Sequence, residues 1–124
     1  MLLAEDDPDI RVLVGTLLER WGYEVAAAAS GHEALELAAE QAPALAIFDA
    51  GMPQPDGVQL TRVFRADDEL HDVPIILLTG HAGDDRTLEG EAAGASGLVS
   101  KPFRAQALRK AIWSVVPAAP ENAA

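Results

Sequence analysis

The sequence predicts an α/β protein in which a parallel sheet is covered by helices on both faces. Short apolar runs alternate with stretches of helical periodicity five times along the 124 residues, and this alternation is typical of consecutive β–α units. Residues 73–78 form an almost continuous apolar run containing three β-branched residues, as expected for a strand buried on both faces of a parallel sheet. The length fits one domain.

Five strands and five helices are predicted within residues 1–116, which we take as the domain. The polar, proline-containing residues 117–124 are expected to be a flexible tail. The predicted strands cover residues 2–4, 23–28, 45–48, 73–78 and 98–100.

Most of the predicted helices have a recognisable start or stop. Asp7 supplies an N-cap followed by Pro8 in the first turn, and Ser30 with Glu33 forms a capping-box pattern. The fourth helix contains Gly90, which costs about 1 kcal/mol relative to alanine. The predicted helices run from residue 8 to 21, from 31 to about 42, from 58 to about 64, from 87 to 93 and from 104 to 116.

Composition excludes several function classes. The chain has 20 acidic residues against 9 Lys and Arg, a net charge of −11, which disfavours non-specific nucleic-acid binding because such binding depends on phosphate neutralisation. With no cysteine, disulfides and thiolate chemistry are excluded. No apolar run approaches the ~18 residues of a membrane span. We therefore expect a cytoplasmic domain that contacts neither membrane nor nucleic acid.

Polar residues follow four of the five predicted strands. Glu5 and Asp6 follow the first strand, Asp49 the third, Thr79 the fourth and Lys101 the fifth. In doubly wound parallel sheets, ligands bind beyond the carboxyl ends of the strands. Each of these residues taken alone is more often structural than functional, but together they predict a site at this edge.

The chemistry of these residues suggests phosphoryl transfer. Three carboxylates in one cleft repel each other unless a cation compensates them, and Mg²⁺ prefers such oxygen ligands. Lys101 and the Thr79 hydroxyl suit the oxygens of a phosphoryl group. Asp49 is the best-placed nucleophile because it ends a central strand, and Gly51 behind it offers a backbone carbonyl.

The motifs occupy defined segments of the chain. They are residues 5–11 (EDDPDIR), 49–53 (DAGMP), 56–57 (DG), 74–80 (PIILLTG), 94–95 (GA) and 101–103 (KPF). In this order and spacing the sequence resembles the receiver domain of response regulators in two-component signalling, from about residue 2 to residue 116. The resemblance implies a flavodoxin-like (βα)5 fold with strand order 2-1-3-4-5.

The resemblance also implies roles for individual residues. Asp49 would be the phosphorylated aspartate, Thr79 would hydrogen-bond the phosphoryl group, and Lys101 would pair with it. The implied Mg²⁺ ligands are Asp6, Asp49, the Gly51 carbonyl and, through water, Glu5. The peptide bond between Lys101 and Pro102 is expected to be cis.

The implied function is that of a regulatory phosphoacceptor, not a conventional enzyme. A histidine kinase or a phosphotransfer protein would donate the phosphoryl group, and an unknown protein would bind the face formed by the fourth helix, fifth strand and fifth helix. Leu98 stands where the family often has an aromatic switch residue, so the signal must pass differently here. Gly90 and Gly94 are expected to loosen the fourth helix.

Two other functions are weaker alternatives. An Mg²⁺-dependent aspartyl phosphatase usually carries a second acid two residues after its nucleophile, where this chain has Gly51. A phosphate-insensitive interaction module would not need the full set of acids with Thr79 and Lys101. The sequence leaves open the cognate kinase, the oligomeric state, and whether the domain stands alone or belongs to a larger protein.

Overall fold

The fold is a five-stranded parallel sheet in the order β2-β1-β3-β4-β5. The computed structural model describes residues 1–80 and 85–116, with side chains from Thr87 onward in the second range. The elements are β1 (Leu2–Ala4), α1 (Pro8–Arg20), β2 (Ala26–Ala28), α2 (Gly31–Glu40), β3 (Ala46–Asp49), α3 (Gly57–Ala66), β4 (Ile75–Thr79), α4 (Asp85–Ala93), β5 (Gly97–Ser100) and α5 (Ala105–Val115). The predicted fold class and strand order are confirmed. The expected tail lies outside the described residues.

Two apolar clusters cover the two faces of the sheet. One contains buried residues of α2 and α3, and its largest pair is Phe48 and Phe64, whose rings meet edge to face at 5.3 Å. The other joins α1 to α5 through Leu18, Leu108 and Ile112. Burying each such side chain contributes about 1.5–3 kcal/mol, so helices are held on both faces.

Side-chain caps fix the beginnings of three helices. The Asp7 carboxylate accepts from the N–H groups of Asp9 and Ile10 at 2.9 and 3.2 Å, as predicted. The Ser30 hydroxyl accepts from the Glu33 N–H at 3.2 Å, but the Glu33 carboxylate accepts from Ala29 instead of Ser30. A complete capping box, which we did not predict, joins Asp56 and Gln59 at the start of α3.

Two strands are shorter than predicted. The second covers only Ala26–Ala28, because β1 pairs with these three residues alone. The fourth begins at Ile75 instead of residue 73, since the Val73 N–H is used in a turn to the Leu70 carbonyl and Pro74 has no N–H to donate. At the carboxyl edge the third and fourth strands each extend one residue beyond the prediction, to Asp49 and Thr79, so both site residues lie at strand ends.

Gly90 allows α4 to pack closely on the sheet. The residue is buried, and a Cβ atom there would lie 2.5 Å from Leu77 Cδ1 and 3.3 Å from Leu98 Cδ2. The glycine that we expected to loosen α4 is thus a point of close contact. Gly94 follows the helix with φ +103°, a conformation that favours glycine at helix ends. Within the described residues, no helix is long and apolar enough to span a membrane.

Candidate functional site

The predicted site residues meet at the carboxyl edge of the sheet. Glu5 follows β1 directly, Asp49 ends β3, Thr79 ends β4 and Lys101 follows β5. Because β3, β4 and β5 are paired in parallel, with Asp49 opposite Leu78 and Thr79 opposite Ser100, these ends lie side by side.

Three carboxylates form the acidic part of the site. Glu5, Asp6 and Asp49 each offer one oxygen, and the three atoms lie within 4.8 Å of one another. Glu5 and Asp49 are buried, whereas Asp6 is exposed. Such a cluster is costly unless a positive charge is close.

Lys101 supplies a positive charge. Its Nζ lies 3.2 Å from Glu5 Oε1 and 3.2 Å from Asp49 Oδ2. Its backbone N–H donates to the Thr79 carbonyl at 2.7 Å, so the chain is fixed where the side chain enters the cleft. The peptide bond before Pro102 is cis, as expected.

The backbone around Asp49 is tightly packed. Asp49 Oδ1 accepts from the Gly51 N–H at 2.9 Å, which orients the carboxylate. At the start of α3, a Cβ atom on Gly57 would lie 2.7 Å from the Asp49 carbonyl oxygen, so only glycine lets the helix approach this closely. Gly51 enters the site through its N–H, and the ligand role of its carbonyl stays a prediction.

Burial and charge shift the pKa values in this cleft. Burial, together with the hydrogen bond and charge of Asp49, raises the pKa of Glu5 to about 7. Burial also acts to raise the pKa of Asp49, but its hydrogen bond with Glu5, the Gly51 N–H and the Lys101 charge together hold that pKa below its ordinary value. For Lys101, burial opposes the charged form, yet the two carboxylates raise the pKa. Asp49 is therefore the more readily ionised acid.

Thr79 is the least satisfied polar residue of the site. It is 1 % exposed, and its hydroxyl has no hydrogen-bond partner among the residues that the structure describes. Buried hydroxyls without a partner are rare, because each loses its bonds to water without replacement. This hydroxyl therefore has the capacity to donate to a ligand.

Arg11 belongs to the site as well, although its role could not be seen in the sequence. Its guanidinium Nη1 donates to the Glu5 carbonyl at 2.8 Å and to the Asp6 carbonyl at 3.4 Å. The spacing from Arg11 to these residues matches no cap or helical pair, so no local sequence signal predicts the contact.

The donor set fits a hard divalent cation. All three side chains are carboxylates, without histidine or sulfur, and one of them is exposed to solvent. Mg²⁺ is typically bound by one or two carboxylates and keeps several waters. The residues present can therefore hold Mg²⁺ while leaving room for a further ligand.

A doubly wound sheet with an acidic cleft at its carboxyl edge is the architecture of receiver-type signalling domains. The response regulator receiver domain family matches residues 1–113, and the chain belongs to this family.

Several relatives are similar to this chain. The transcriptional regulatory protein AfsQ1 of Streptomyces coelicolor is 40 % identical over 116 residues, which cover 94 % of this chain and 50 % of that protein. The chain thus spans about half the length of the curated relatives it matches.

Solved structures show the same fold. A putative response regulator from Chloroflexus aurantiacus has a TM-score of 0.87 at 32 % identity, covering 94 % of this chain and 96 % of that one. The receiver domain of a sensor histidine kinase from Pseudomonas aeruginosa, with magnesium coordinated in its active site cleft, has a TM-score of 0.86 at 30 % identity, covering 94 % and 96 %.

Proposed function

We propose that this receiver domain accepts a phosphoryl group on Asp49 in a reaction that requires Mg²⁺, and that it works in the cytoplasm. The convergence of three carboxylates, two of which pair with Lys101, beside a Thr79 hydroxyl without a partner among the described residues, carries this proposal. Family membership supports it, because receiver domains take part in two-component signalling.

The donor would be a phosphohistidine of a histidine kinase or a phosphotransfer protein. An Asp49 carboxylate oxygen forms a bond to phosphorus while the nitrogen–phosphorus bond breaks, and the leaving imidazole nitrogen keeps the electron pair and takes up a proton. The low pKa of Asp49 keeps this oxygen ionised at neutral pH. The product is an acyl phosphate on the domain.

Other side chains would stabilise the transferred group. Lys101, now 3.2 Å from Asp49 Oδ2, would pair with one phosphoryl oxygen, and the Thr79 hydroxyl would donate to another. Asp6, Asp49 and the Gly51 carbonyl would hold Mg²⁺, with Glu5 acting through water. The ion would neutralise charge on the phosphoryl oxygens.

A protein donor also has a surface on which to dock. Ile10, Leu13, Pro102 and Phe103 line an apolar groove of about 420 Å³ that reaches Lys101. Leu13 is 55 % exposed. An apolar surface beside the reactive aspartate suits a protein donor that docks an amphipathic segment into the groove.

The output would be a change in partner binding at the face of α4, β5 and α5. Leu98 packs against the cluster that contains Leu77 and lies close to Gly90. Repacking of these side chains, instead of the swing of an aromatic ring, would pass the change from Thr79 to this face.

Phosphorylation by a small acyl phosphate, read by intact mass, tests the function. We expect one added phosphate on the wild type with Mg²⁺ and none with excess chelator. Asp49→Asn should gain none, whereas the matched control Asp9→Asn, which changes an exposed acid of the first turn of α1, should behave as wild type. Equal phosphate on wild type and Asp49→Asn, or none on either, would contradict the proposal.

A further inference from the structure

Glu5 and Asp6 lie in neither a strand nor a helix. They occupy the connection between β1 and α1, where the Glu5 N–H still donates to the Ala28 carbonyl at 3.0 Å. The Glu5 and Asp6 carbonyls of this connection both accept from the side chain of Arg11 in α1. Whatever holds these carbonyls also determines where the two carboxylates point.

We propose that Arg11 is a positioning residue of this site, holding the Glu5 and Asp6 peptide groups so that both carboxylates can serve one Mg²⁺ ion. The inference rests on the proposed function, because it assigns Arg11 to the same metal site. The Arg11 side chain donates to the backbone carbonyls of Glu5 and Asp6, so it acts on the carboxylates of the cluster through the backbone.

The Arg11 side chain hydrogen-bonds the backbone of two consecutive residues. One guanidinium nitrogen donates to the Glu5 carbonyl at 2.8 Å, a strong charge-assisted bond, and to the Asp6 carbonyl at 3.4 Å, a weaker one. The Arg11 N–H itself donates to the Asp7 carbonyl at 2.9 Å. Side chain and backbone of one residue thus contact three successive carbonyls.

The other side of the same loop is tied as well. Glu5 Oε2 accepts from the Asp7 N–H at 3.2 Å, while Glu5 Oε1 accepts from Lys101. With the carboxylate held at one end and the carbonyl at the other, Glu5 has little freedom. Asp6 has an exposed side chain. The position of its carboxylate therefore depends more on the hydrogen bond from Arg11 to its backbone carbonyl.

Charge and geometry make opposite predictions for the loss of Arg11. A positive charge near the acidic cluster repels Mg²⁺, so its removal alone would tighten metal binding. Loss of the Arg11 hydrogen bonds to the backbone would instead weaken Mg²⁺ binding, because the metal itself would have to order the carboxylates. The sign of the change in Mg²⁺ affinity therefore separates the two effects.

Isothermal titration with Mg²⁺ alone tests the proposal on Arg11→Met, Arg11→Lys and Arg20→Met. The last removes an exposed arginine from the final turn of the same helix and serves as the matched control. We expect Arg11→Met to raise the Mg²⁺ Kd about 10-fold, as for other residues that orient metal ligands. Arg11→Lys should fall between Arg11→Met and wild type, and the control should match wild type.

Kinetics provide a second readout that a general loss of stability would not reproduce. The phosphorylation rate of Arg11→Met should be low at limiting Mg²⁺ and return close to the wild-type rate at saturating Mg²⁺. A wild-type or lower Mg²⁺ Kd for Arg11→Met, or a rate that saturating Mg²⁺ fails to restore, would overturn the proposal. If Arg11→Met does not fold, an unchanged Kd for folded Arg11→Lys overturns it equally.

The two proposals fail in different ways. If wild type neither binds Mg²⁺ nor takes phosphate on Asp49, the proposed function is wrong. If wild type does both and the Arg11 variants do the same at equal Mg²⁺ concentrations, only the role of Arg11 is wrong.

Discussion

Charged side chains lie at both the amino edge and the carboxyl edge of the sheet, that is, at the two ends of its strands. They differ in how completely their hydrogen-bonding groups find partners. At the amino edge, where α3 and α4 end, the Arg65 guanidinium donates to the carbonyls of His71, Val73 and Gly94 and to the Ser96 hydroxyl. The distances run from 2.7 to 3.3 Å. Four acceptors thus surround one cation. They lie in residues 71–73 and 94–96, so the Arg65 side chain connects both segments to the end of α3.

At the carboxyl edge the polar groups are incompletely satisfied. Glu5 and Asp49 share the single Lys101 ammonium, and the Thr79 hydroxyl has no partner among the described residues. A saturated polar network stabilises a fold, whereas a partly satisfied one reduces stability unless a ligand completes it. The amino edge thus has the character of a structural network, and the carboxyl edge that of a binding site.

The largest effect on stability should come from Arg65. Arg65→Met leaves the carbonyls of the amino edge without their donor, so we expect the free energy of unfolding to fall by about 2–3 kcal/mol. The phosphorylation rate at saturating Mg²⁺ should stay within about two-fold of wild type, since distant sites are usually independent. Chemical denaturation and intact-mass kinetics measure the two quantities.

Arg62→Met is the matched control, because Arg62 is exposed on the same helix. It should leave the free energy of unfolding unchanged. A large loss of phosphorylation in Arg65→Met at full Mg²⁺ would show that the two edges are not independent.

An effect of similar size is expected from pH. In metal-free protein, the Glu5 pKa is about 7 in the folded state against 4.5 ordinarily, so the folded state binds more protons between these values. The free energy of unfolding should therefore rise as pH falls, by about 2–3 kcal/mol between about pH 8 and about pH 5. Denaturation with chelator present, at several pH values, measures this change.

Glu5→Gln should lose this pH dependence, whereas Glu36→Gln, at an exposed position of α2, should retain it. Adding Mg²⁺ should stabilise wild type more at the higher pH, because Glu5 is then ionised. A wild-type curve that falls toward pH 5 would contradict the prediction.

The smallest change in the free energy of unfolding is expected at Thr79, and it should not be destabilising. Thr79→Val removes a hydroxyl that has no partner among the described residues, so we expect the free energy of unfolding to be unchanged or to rise by up to about 1 kcal/mol. Phosphorylation should slow about 10-fold, because the transferred group loses one donor.

Thr61→Val is the matched comparison, since the buried Thr61 hydroxyl donates to the Gly57 carbonyl at 2.8 Å. It should destabilise the domain by about 1 kcal/mol. Equal destabilisation by both substitutions would mean that the Thr79 hydroxyl is as well satisfied as that of Thr61.

The sequence was sufficient to predict that five polar residues meet at one edge, because parallel strands bring their carboxyl ends together whatever the loops do. The contacts of Arg65 and Arg11 could not be predicted, since long side chains reach backbone carbonyls that no local pattern specifies. Gly90 suggested a weak helix from its propensity alone. Its close contact with Leu77 depends on how near α4 lies to the sheet, which is a tertiary property.

A cation–π contact links α5 to the end of α1. The Arg109 guanidinium lies 5.3 Å from the Trp21 ring and 4.7 Å from the Trp113 ring, and these are the only two tryptophans of the sequence. Trp21 ends a 13-residue helix that begins beside the site, about 20 Å away at 1.5 Å per residue. Intrinsic fluorescence therefore monitors the contact between α1 and α5 around Arg109, and an emission change on phosphorylation would report structural change at that contact.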